Sequence, residues 1–310
     1  MKLYKYISSD IISKVFSSNE HASFRCSYPK DFNDPYELFL TINFNERPKQ
    51  LAFYSEVIGK IPQIPTTCFS RSPSVIPMWS HYAQNLQGFV IELDEENLAS
   101  HFPESGFGDV NYRDKPDDSI QGNLYRAYGT LKPRHVYFLQ QIVFNAAYYT
   151  KSTCWSYELE RRMIIDPTET RDSDRLILID IPLNSVSAII CGPRAEPETQ
   201  RILSEQAERI NCGYFDMKIG RSSNTPFFID KTGAPYIYEE GQLCASSRYC
   251  MDCKEPLNNV DAQKCSWCMI DESHKTSAAE RNPYRMLADA GILESYLDDM
   301  AEIGRKHRKK

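Results

Sequence analysis

Apolar and polar residues follow two periods along the chain. Strand-like segments, which alternate in polarity or are short and apolar throughout, cover residues 2–7, 22–28, 64–70, 88–93, 175–181, 186–191 and 214–219. Helical spacing covers residues 11–16, 47–60, 77–83, 133–147 and 196–210. Regular strand-helix-strand alternation and a G-x-G-x-x-G turn are both missing, which argues against a doubly wound dinucleotide fold. The pattern predicts an α+β body over residues 1–240, with largely antiparallel sheets and a mobile loop within residues 103–123.

The segment K-S-T-C-W-S-Y-E-L-E-R-R, residues 151–162, is predicted as the central strand. Because strand side chains alternate between faces, Glu158 and Glu160 would stand side by side with Arg162. Two neighbouring carboxylates repel, so the pKa of one should exceed the Glu reference of ~4.3 unless a cation compensates. The segment fits either a half-buried strand with a solvated charged face or a pair of catalytic carboxylates.

Composition and charge narrow the class of protein. The 310 residues are 41% hydrophobic, 25% charged and 12% aromatic, which is typical of a folded protein with one core and an appendage, or two domains. A net charge of -6 argues against attraction of the whole molecule to nucleic acid, although residues 305–310 carry five Lys or Arg. That basic tail either contacts phosphates or only aids solubility. No apolar run is long enough for a signal peptide or a membrane span, which predicts a cytoplasmic protein.

Four of the ten cysteines are clustered as C-x2-C, eleven residues and C-x2-C: Cys250, Cys253, Cys265 and Cys268. Two such pairs supply four thiolates for a tetrahedral site, and zinc is the usual metal. Disulfides or a redox pair are the alternatives. The predicted ribbon, residues 241–271, is too short to build its own core, so a metal would hold it together. Basic residues around it would also suit a ribbon that presents itself to nucleic acid or protein.

The last segment, residues 272–310, is predicted to form an amphipathic helix with a basic tail. Its apolar residues recur at near-helical spacing: Met286, Leu287, Ile292, Leu293, Tyr296, Leu297, Met300 and Ile303. Such a helix docks on the body, on a partner or on a second copy, and the sequence does not choose among them.

Several short motifs occur together in a characteristic order. They are Leu3-Tyr4-Lys5-Tyr6, Phe32-Asn33-Asp34-Pro35-Tyr36-Glu37, Cys68-Phe69-Ser70, Met78-Trp79-Ser80-His81-Tyr82-Ala83, Gly88-Phe89-Val90-Ile91-Glu92, and Lys151 with Trp155-Ser156-Tyr157-Glu158-Leu159-Glu160-Arg161. Over residues 2–220 they resemble the DUF2971 family of bacterial and phage-associated proteins. The layout is also similar to ADP-ribosyltransferases of the DarT and abortive-infection kind. That resemblance implies an antiparallel split sheet with flanking helices around NAD.

The resemblance also implies roles for individual residues. Glu160 would be the catalytic carboxylate beside an oxocarbenium-like ribose, and Glu158 would position the acceptor or raise the pKa of its neighbour; these two roles could be reversed. His81 and Tyr82 complete the catalytic set. The residues expected to hold NAD are Tyr4, Lys5, Tyr6, Asn33, Phe69, Ser70, Arg71 and Trp79. Where the family commonly has Arg after its first motif, this chain has Ile7, so Lys5 or Arg71 would have to hold a phosphate.

Each of these residues also has a purely structural interpretation. Trp79 fits a core anchor, His81 a hydrogen-bonded structural histidine, and Asn33 with Asp34 a turn before Pro35.

Three functions follow from these features. The first is an NAD-dependent ADP-ribosyltransferase, a toxin or anti-phage effector that modifies nucleic acid or protein and is controlled by an antitoxin or inhibitor. The second is a non-enzymatic zinc-bearing interaction or sensor protein of a phage-defence system. The third is a metal-dependent nuclease built on Asp34, Glu37, Glu158 and Glu160, although no Lys follows the acidic pair in the usual nuclease pattern.

Overall fold

A computed structural model describes residues 1–36, 46–59, 61–174, 176–257 and 262–307. The chain divides into two compact units, Met1–Ser247 and Arg248–Lys310. The predicted boundary after residue 240 falls inside a hairpin, so the first unit extends seven residues further, to Ser247. The regions predicted as a separate ribbon and helix cluster together in the second unit. No helix in the described ranges has the length and apolar character needed to cross a membrane.

Fifteen strands are present in the described residues. They are β1 (Lys2–Ile7), β2 (His21–Cys26), β3 (Thr66–Ser70), β4 (Phe89–Asp94), β5 (Gly106–Asp109), β6 (Asn111–Tyr112), β7 (Thr150–Lys151), β8 (Glu160–Ile164), β9 (Arg171–Ser173), β10 (Leu176–Pro182), β11 (Val186–Cys191), β12 (Gly213–Lys218), β13 (Phe227–Asp230), β14 (Pro235–Glu239) and β15 (Gln242–Ala245). The last strand predicted from the sequence, residues 214–219, corresponds to β12, and β13 to β15 extend the sheet beyond it.

The helices alternate irregularly with these strands. They are α1 (Ile12–Val15), α2 (Pro48–Ile58), α3 (Ile76–Tyr82), α4 (Glu95–His101), α5 (Asp118–Thr130), α6 (Pro133–Tyr148), α7 (Pro197–Ile210), α8 (Glu272–Glu280), α9 (Pro283–Asp289) and α10 (Leu293–His307). Within residues 103–123, where a mobile loop is predicted, the last six residues belong to α5, whose N-cap Asp117 accepts the backbone N–H of Ser119. The predicted single C-terminal helix is three helices, because Pro283 and Gly291 interrupt it.

The main sheet has ten strands in the order β15-β14-β13-β12-β11-β4-β1-β3-β8-β5. Within it, β11 and β12 are parallel, and every other neighbouring pair formed by the described residues is antiparallel. A smaller sheet has the order β2-β10-β9, and β6 pairs with β7. The prediction of an α+β body with largely antiparallel sheets is confirmed.

The central strands are apolar on both faces because both faces are covered. On one face, Leu3 and Ile91 pack in a core cluster with residues of β2, β10 and α7. On the other face, Tyr6 and Val90 pack against Trp79 of α3. This two-sided burial explains the unbroken apolar run at the start of β4. Gly88 precedes that run because a Cβ there would lie 2.2 Å from the carbonyl oxygen of Ile7.

The neighbouring strands β1 and β3 separate soon after they meet. They share the single register pair Tyr4 and Ser70, whereas β1 follows β4 over six pairs. Beyond this point β3 is bridged at Thr66 by Ser27, which follows β2. The sheet therefore opens between β1 and β3, and the opening positions the site described next.

The predicted central strand, residues 151–162, is only partly a strand. Thr153–Glu158 is a 3₁₀ helix, and β8 begins at Glu160. Leu159 joins them with a left-handed backbone, φ 47°. This turn replaces the predicted alternation of residues 151–158, but Glu160 and Arg162 do share one face of β8, as predicted.

Candidate functional site

A cavity of about 430 Å³ lies where β1 and β3 separate. Side chains of β1, β2, β3 and α3 line it, together with the turn around Phe32 and Asn33. Lys151, Glu158 and Glu160 contribute to its wall from the segment that leads into β8. Its volume is typical of a pocket for a small molecule or cofactor.

A four-residue charge cluster stands at this wall: Lys151, Glu158, Glu160 and Arg162. Lys151 Nζ donates to Glu158 Oε2 at 2.5 Å and to Glu160 Oε2 at 3.3 Å. The Arg162 guanidinium donates two hydrogen bonds to the Glu160 carboxylate, from Nε to Oε1 at 2.8 Å and from Nη2 to Oε2 at 3.2 Å. All four side chains are buried, and Arg162 is 0% exposed. Their charges are therefore balanced inside the protein rather than by water.

The two carboxyl groups differ in acidity because they have different neighbours. Burial raises the pKa of Glu158 above its ordinary value, against the opposing charge of Lys151. Burial acts in the same direction on Glu160, but the charges of Arg162 and Lys151 outweigh it and hold its pKa below the ordinary value. Glu160 is therefore ionised at neutral pH, while Glu158 is the carboxyl that more readily takes up a proton.

Aromatic and polar groups surround this charge cluster. The Tyr82 hydroxyl donates to Glu158 Oε1 at 2.6 Å, and Asn33 Nδ2 lies 3.5 Å from the Tyr82 hydroxyl. Lys151 Nζ lies 4.6 Å from the ring centre of Trp155. The Arg162 guanidinium stacks over Phe32 at 5.2 Å. Each cation thus has an aromatic face as well as a carboxylate.

Lys5 crosses the opening between the separated strands. Its Nζ donates to Thr67 Oγ1 at 2.8 Å and to the backbone oxygen of Cys68 at 2.9 Å, and lies 5.5 Å from the ring centre of Phe69. The Lys5 side chain is half-buried on the cavity wall. The protein that surrounds it lowers the pKa of its ammonium group, because burial disfavours the charged form. Arg25 of β2 also lines the cavity and is exposed.

Most of the residues predicted from the sequence meet at this cavity. Those that line it are Tyr4, Lys5, Tyr6, Asn33, Phe69, Ser70, Tyr82, Glu158 and Glu160. The hydroxyl groups of Tyr4 and Tyr6 are occupied elsewhere, by Glu92 at 3.1 Å and by the Ser72 backbone oxygen at 2.8 Å.

Three predicted residues do not line the cavity. Trp79 is fully buried and donates its ring N–H to the Pro73 backbone oxygen at 2.7 Å, so it is a core anchor and not a ring that clamps a cofactor. Arg71 pairs with Asp109 at 3.5 Å on a half-exposed surface. His81 is exposed near the rings of Tyr82 and Tyr157.

The cavity also contains residues that the sequence analysis did not select, Arg25, Phe32 and Cys68. Arg25 is the one cation within the strand segment 22–28. A single charge in such a strand could have indicated a residue that faces a cavity. Phe32 and Cys68 belong to recognised motifs, but nothing in their spacing singles them out.

The nuclease hypothesis gains no metal site from the described residues. Asp34 accepts the backbone N–H of Tyr36 at 2.9 Å, as expected of a turn residue. Glu158 and Glu160 face the cations Lys151 and Arg162, and among the described residues the four cysteines of the second unit form the one group of three or more ligands that could hold a metal ion. Glu37 lies outside the described residues.

The second unit contains the predicted four-cysteine cluster. The Sγ atoms of Cys250, Cys253, Cys265 and Cys268 all lie within 4.8 Å of one another. Tetrahedral zinc with bonds of ~2.3 Å requires sulfur atoms about 3.8 Å apart, and Cys253 Sγ and Cys265 Sγ are 3.8 Å apart. The backbone N–H of Cys268 donates to Cys265 Sγ at 3.4 Å, which stabilises a thiolate. The donor set and its spacing fit zinc.

We expect one zinc ion per purified chain, measured by elemental analysis. Cys265→Ser should lower the zinc content severalfold and loosen residues 248–307 in hydrogen exchange, because a short segment without a core depends on its metal. Cys154→Ser, which changes an exposed thiol outside the cluster, is the control and should retain zinc. Full zinc content in Cys265→Ser would contradict the assignment.

Comparison with known proteins gives one match. The family model described as a protein of unknown function, DUF2971, matches residues 78–163. No curated protein and no solved structure matches the chain. The matched segment includes Tyr82 from the cavity wall and all four residues of the charge cluster, Lys151, Glu158, Glu160 and Arg162. This match supports the resemblance to the DUF2971 family that the sequence motifs indicate.

Proposed function

We propose that the first unit is an NAD-dependent ADP-ribosyltransferase. The observation that carries this proposal is the pair of buried carboxyl groups, Glu158 and Glu160, with pKa values displaced in opposite directions at the wall of one cavity. Reactions at a glycosidic carbon use such a pair, because one carboxylate stabilises positive charge while the other handles a proton.

The residues divide the reaction between them. The bond between nicotinamide nitrogen and ribose C1′ breaks, and nicotinamide leaves with the electron pair. Glu160, which is ionised, stabilises the positive charge that develops at C1′. A nucleophile on the acceptor then bonds to C1′, and its proton passes to Glu158, whose raised pKa suits a general base.

The cations of the cavity suit the diphosphate of NAD. Lys5 bridges the opening between β1 and β3, and Arg25 lies on β2 beside it. Ammonium and guanidinium groups are the usual partners of phosphate oxygens. Phe32 and Phe69 add apolar ring surface to the same cavity, which suits the planar bases of the dinucleotide.

The acceptor and the cellular role are part of the same proposal. The resemblance to DarT-type and abortive-infection enzymes supports a toxin or anti-phage effector that modifies nucleic acid or protein. Such an effector requires an antitoxin or inhibitor in its host.

Labelled NAD tests the proposal directly. We expect the purified protein to release nicotinamide and to transfer label from the adenylate phosphate to one of three separated pools: RNA, DNA or protein. Glu160→Gln is the paired variant. If no pool becomes labelled and no nicotinamide is released, the proposed function is wrong.

The rate of transfer should depend on pH through Glu158. As the general base, Glu158 must be ionised, so the rate should rise as pH increases through its raised pKa, at a pH above the Glu reference of ~4.3. Glu160 does not set this limb, because its pKa lies below the ordinary value. Initial rates of label transfer from pH 4 to 9 measure the profile. Glu158→Gln should remove the rise; an unchanged profile in that variant would exclude Glu158 as the base.

A second candidate is a non-enzymatic zinc-bearing interaction or sensor protein. The observation that favours it is the second unit, where a four-cysteine cluster is joined to helices with exposed apolar side chains. If the protein binds NAD saturably but releases no nicotinamide from it, whichever acceptor mixture is added, the result would support this candidate over the enzyme.

A further inference from the structure

The three helices of the second unit have no core. Among residues 272–307 no side chain is buried, and only Ala279, Leu287 and Leu293 are half-buried. Helix α10 exposes a row of large apolar side chains: Tyr296 at 40%, Leu297 at 44%, Met300 at 46% and Ile303 at 48%. Helix α9 adds Tyr284 and Met286, and the Tyr284 ring lies 6.3 Å from that of Tyr296.

An uncovered helix of this length is only marginally stable in water. Isolated helices of fewer than about 12–15 residues barely form, and most helical stability in proteins comes from packing of the apolar face. Helix α10 has 15 residues. We therefore expect the exposed apolar side chains of α10 to pack against another surface.

The apolar row has the spacing of a coiled-coil seam. Leu293, Tyr296, Met300 and Ile303 follow one another at intervals of three, four and three residues, which is the a/d pattern of a heptad. In that register Asp299 and Lys306 fall at the two g positions that border the seam. Charged residues at g positions form salt bridges between helices, and these determine which helix pairs and in which orientation.

Charge is distributed unevenly along α10. Its acidic residues, Glu294, Asp298, Asp299 and Glu302, precede its basic end, Arg305, Lys306 and His307. A parallel copy would set like charges at similar heights. An antiparallel copy would set the acidic part of each helix against the basic end of the other, and would also oppose the helix dipoles favourably.

We propose that α10 pairs with α10 of a second copy of this chain in antiparallel orientation. In the register that sets Asp299 beside Lys306 of the second copy, Met300 packs against Ile303 of the second copy and Tyr296 lies opposite His307 of the second copy. The twofold symmetry of the pair repeats each contact. Lys306 already contacts Glu302 of its own helix at 2.8 Å, but both groups are exposed and that pair stabilises little.

Charge reversal tests both the partner and its orientation. Sedimentation equilibrium of the zinc-loaded full chain should show a dimer at low salt, weakened by added salt. Asp299→Lys and Lys306→Glu should each weaken self-association by about tenfold, because each creates two repulsive contacts per dimer. Mixing the two variants should restore association, since every antiparallel contact then joins opposite charges. Met300→Glu should abolish the dimer, and Ser295→Glu, away from the seam, should retain it.

Circular dichroism and zinc content confirm that each variant is folded. A wild-type chain that stays monomeric at every concentration would overturn the proposal and point to a different partner. A dimer that ignores both charge reversals, or a mixture that associates no better than either variant alone, would also overturn it. None of these results depends on NAD, so they are independent of the proposed enzyme activity.

Discussion

Replacing Arg162 by Met is expected to destabilise the first unit by about 3–5 kcal/mol, because Lys151 alone is left to balance two buried carboxylates. The Arg162 guanidinium contributes the 2.8 Å and 3.2 Å bonds to Glu160 and a 2.7 Å bond to the Tyr148 backbone oxygen, all buried. Met fills a similar volume, so the loss reflects charge and hydrogen bonding more than a cavity. Urea unfolding of wild type and variant measures the difference in free energy.

Arg161→Met is the matched control on the same strand. Arg161 points to the opposite face and pairs with the partly buried Glu95 and the half-exposed Asp109, so its loss should cost about 1–2 kcal/mol, less than the loss of Arg162. The double variant Glu160→Gln with Arg162→Met should lose less stability than Arg162→Met alone, because the uncompensated carboxylate is also removed. Equal losses for Arg161→Met and Arg162→Met would show that the charge cluster contributes no special stability.

Glu160→Gln is expected to lower the rate of nicotinamide release by about 10²–10³-fold, the usual effect of removing one group that stabilises transition-state charge. The amide has nearly the same volume as the carboxylate, and Lys5 and Arg25 are unchanged. Because Arg162 loses its charged partner, circular dichroism must first show that the variant is folded. NAD affinity should therefore stay within a few-fold of wild type. Nicotinamide release at saturating NAD measures the rate, and titration calorimetry measures affinity.

Glu92→Gln provides the control for this prediction. Glu92 is also buried, on strand β4 of the same sheet, but it accepts the hydrogen bond of the Tyr4 hydroxyl and does not line the cavity. Its replacement should leave the rate within a few-fold of wild type. If Glu160→Gln releases nicotinamide as fast as Glu92→Gln does, Glu160 is not the catalytic carboxylate.

The sequence predicts most elements of the first unit because local periodicity determines them. β1, β11 and α6 lie within about a residue of their predicted bounds, since their apolar residues repeat without interruption. Helix α5 escapes prediction because Gly122 and Gly129 and several polar residues weaken its apolar period. The hairpins of β13 to β15 are short and follow a Ser- and Gly-rich stretch that resembles the end of a domain.

The candidate site is predicted in its chemistry but not in its local geometry. Residues 155–160 alternate in polarity like a strand, yet Thr153–Glu158 forms a 3₁₀ helix that ends at the left-handed Leu159. Glu158 and Glu160 meet because both contact Lys151, and not because they are two residues apart on one strand. This contact depends on tertiary packing, which local pattern does not reveal.

Exposure of a predicted residue also depends on its neighbours in space. Met78 and Trp79 face the core from α3, so His81 on the same short helix faces solvent. Arg25 lines the cavity that lies where β1 and β3 separate. These strands share one register pair, and the number of pairs between two distant strands cannot be read from the sequence of either strand.

A crystal structure with an NAD analogue whose nicotinamide–ribose bond cannot break is the most direct test of the central claim. We expect the analogue in the cavity between β1 and β3, with ribose C1′ within about 3.5 Å of the Glu160 carboxylate and the diphosphate against Lys5 and Arg25. An analogue bound elsewhere, or an empty cavity at saturating analogue concentration, would contradict it.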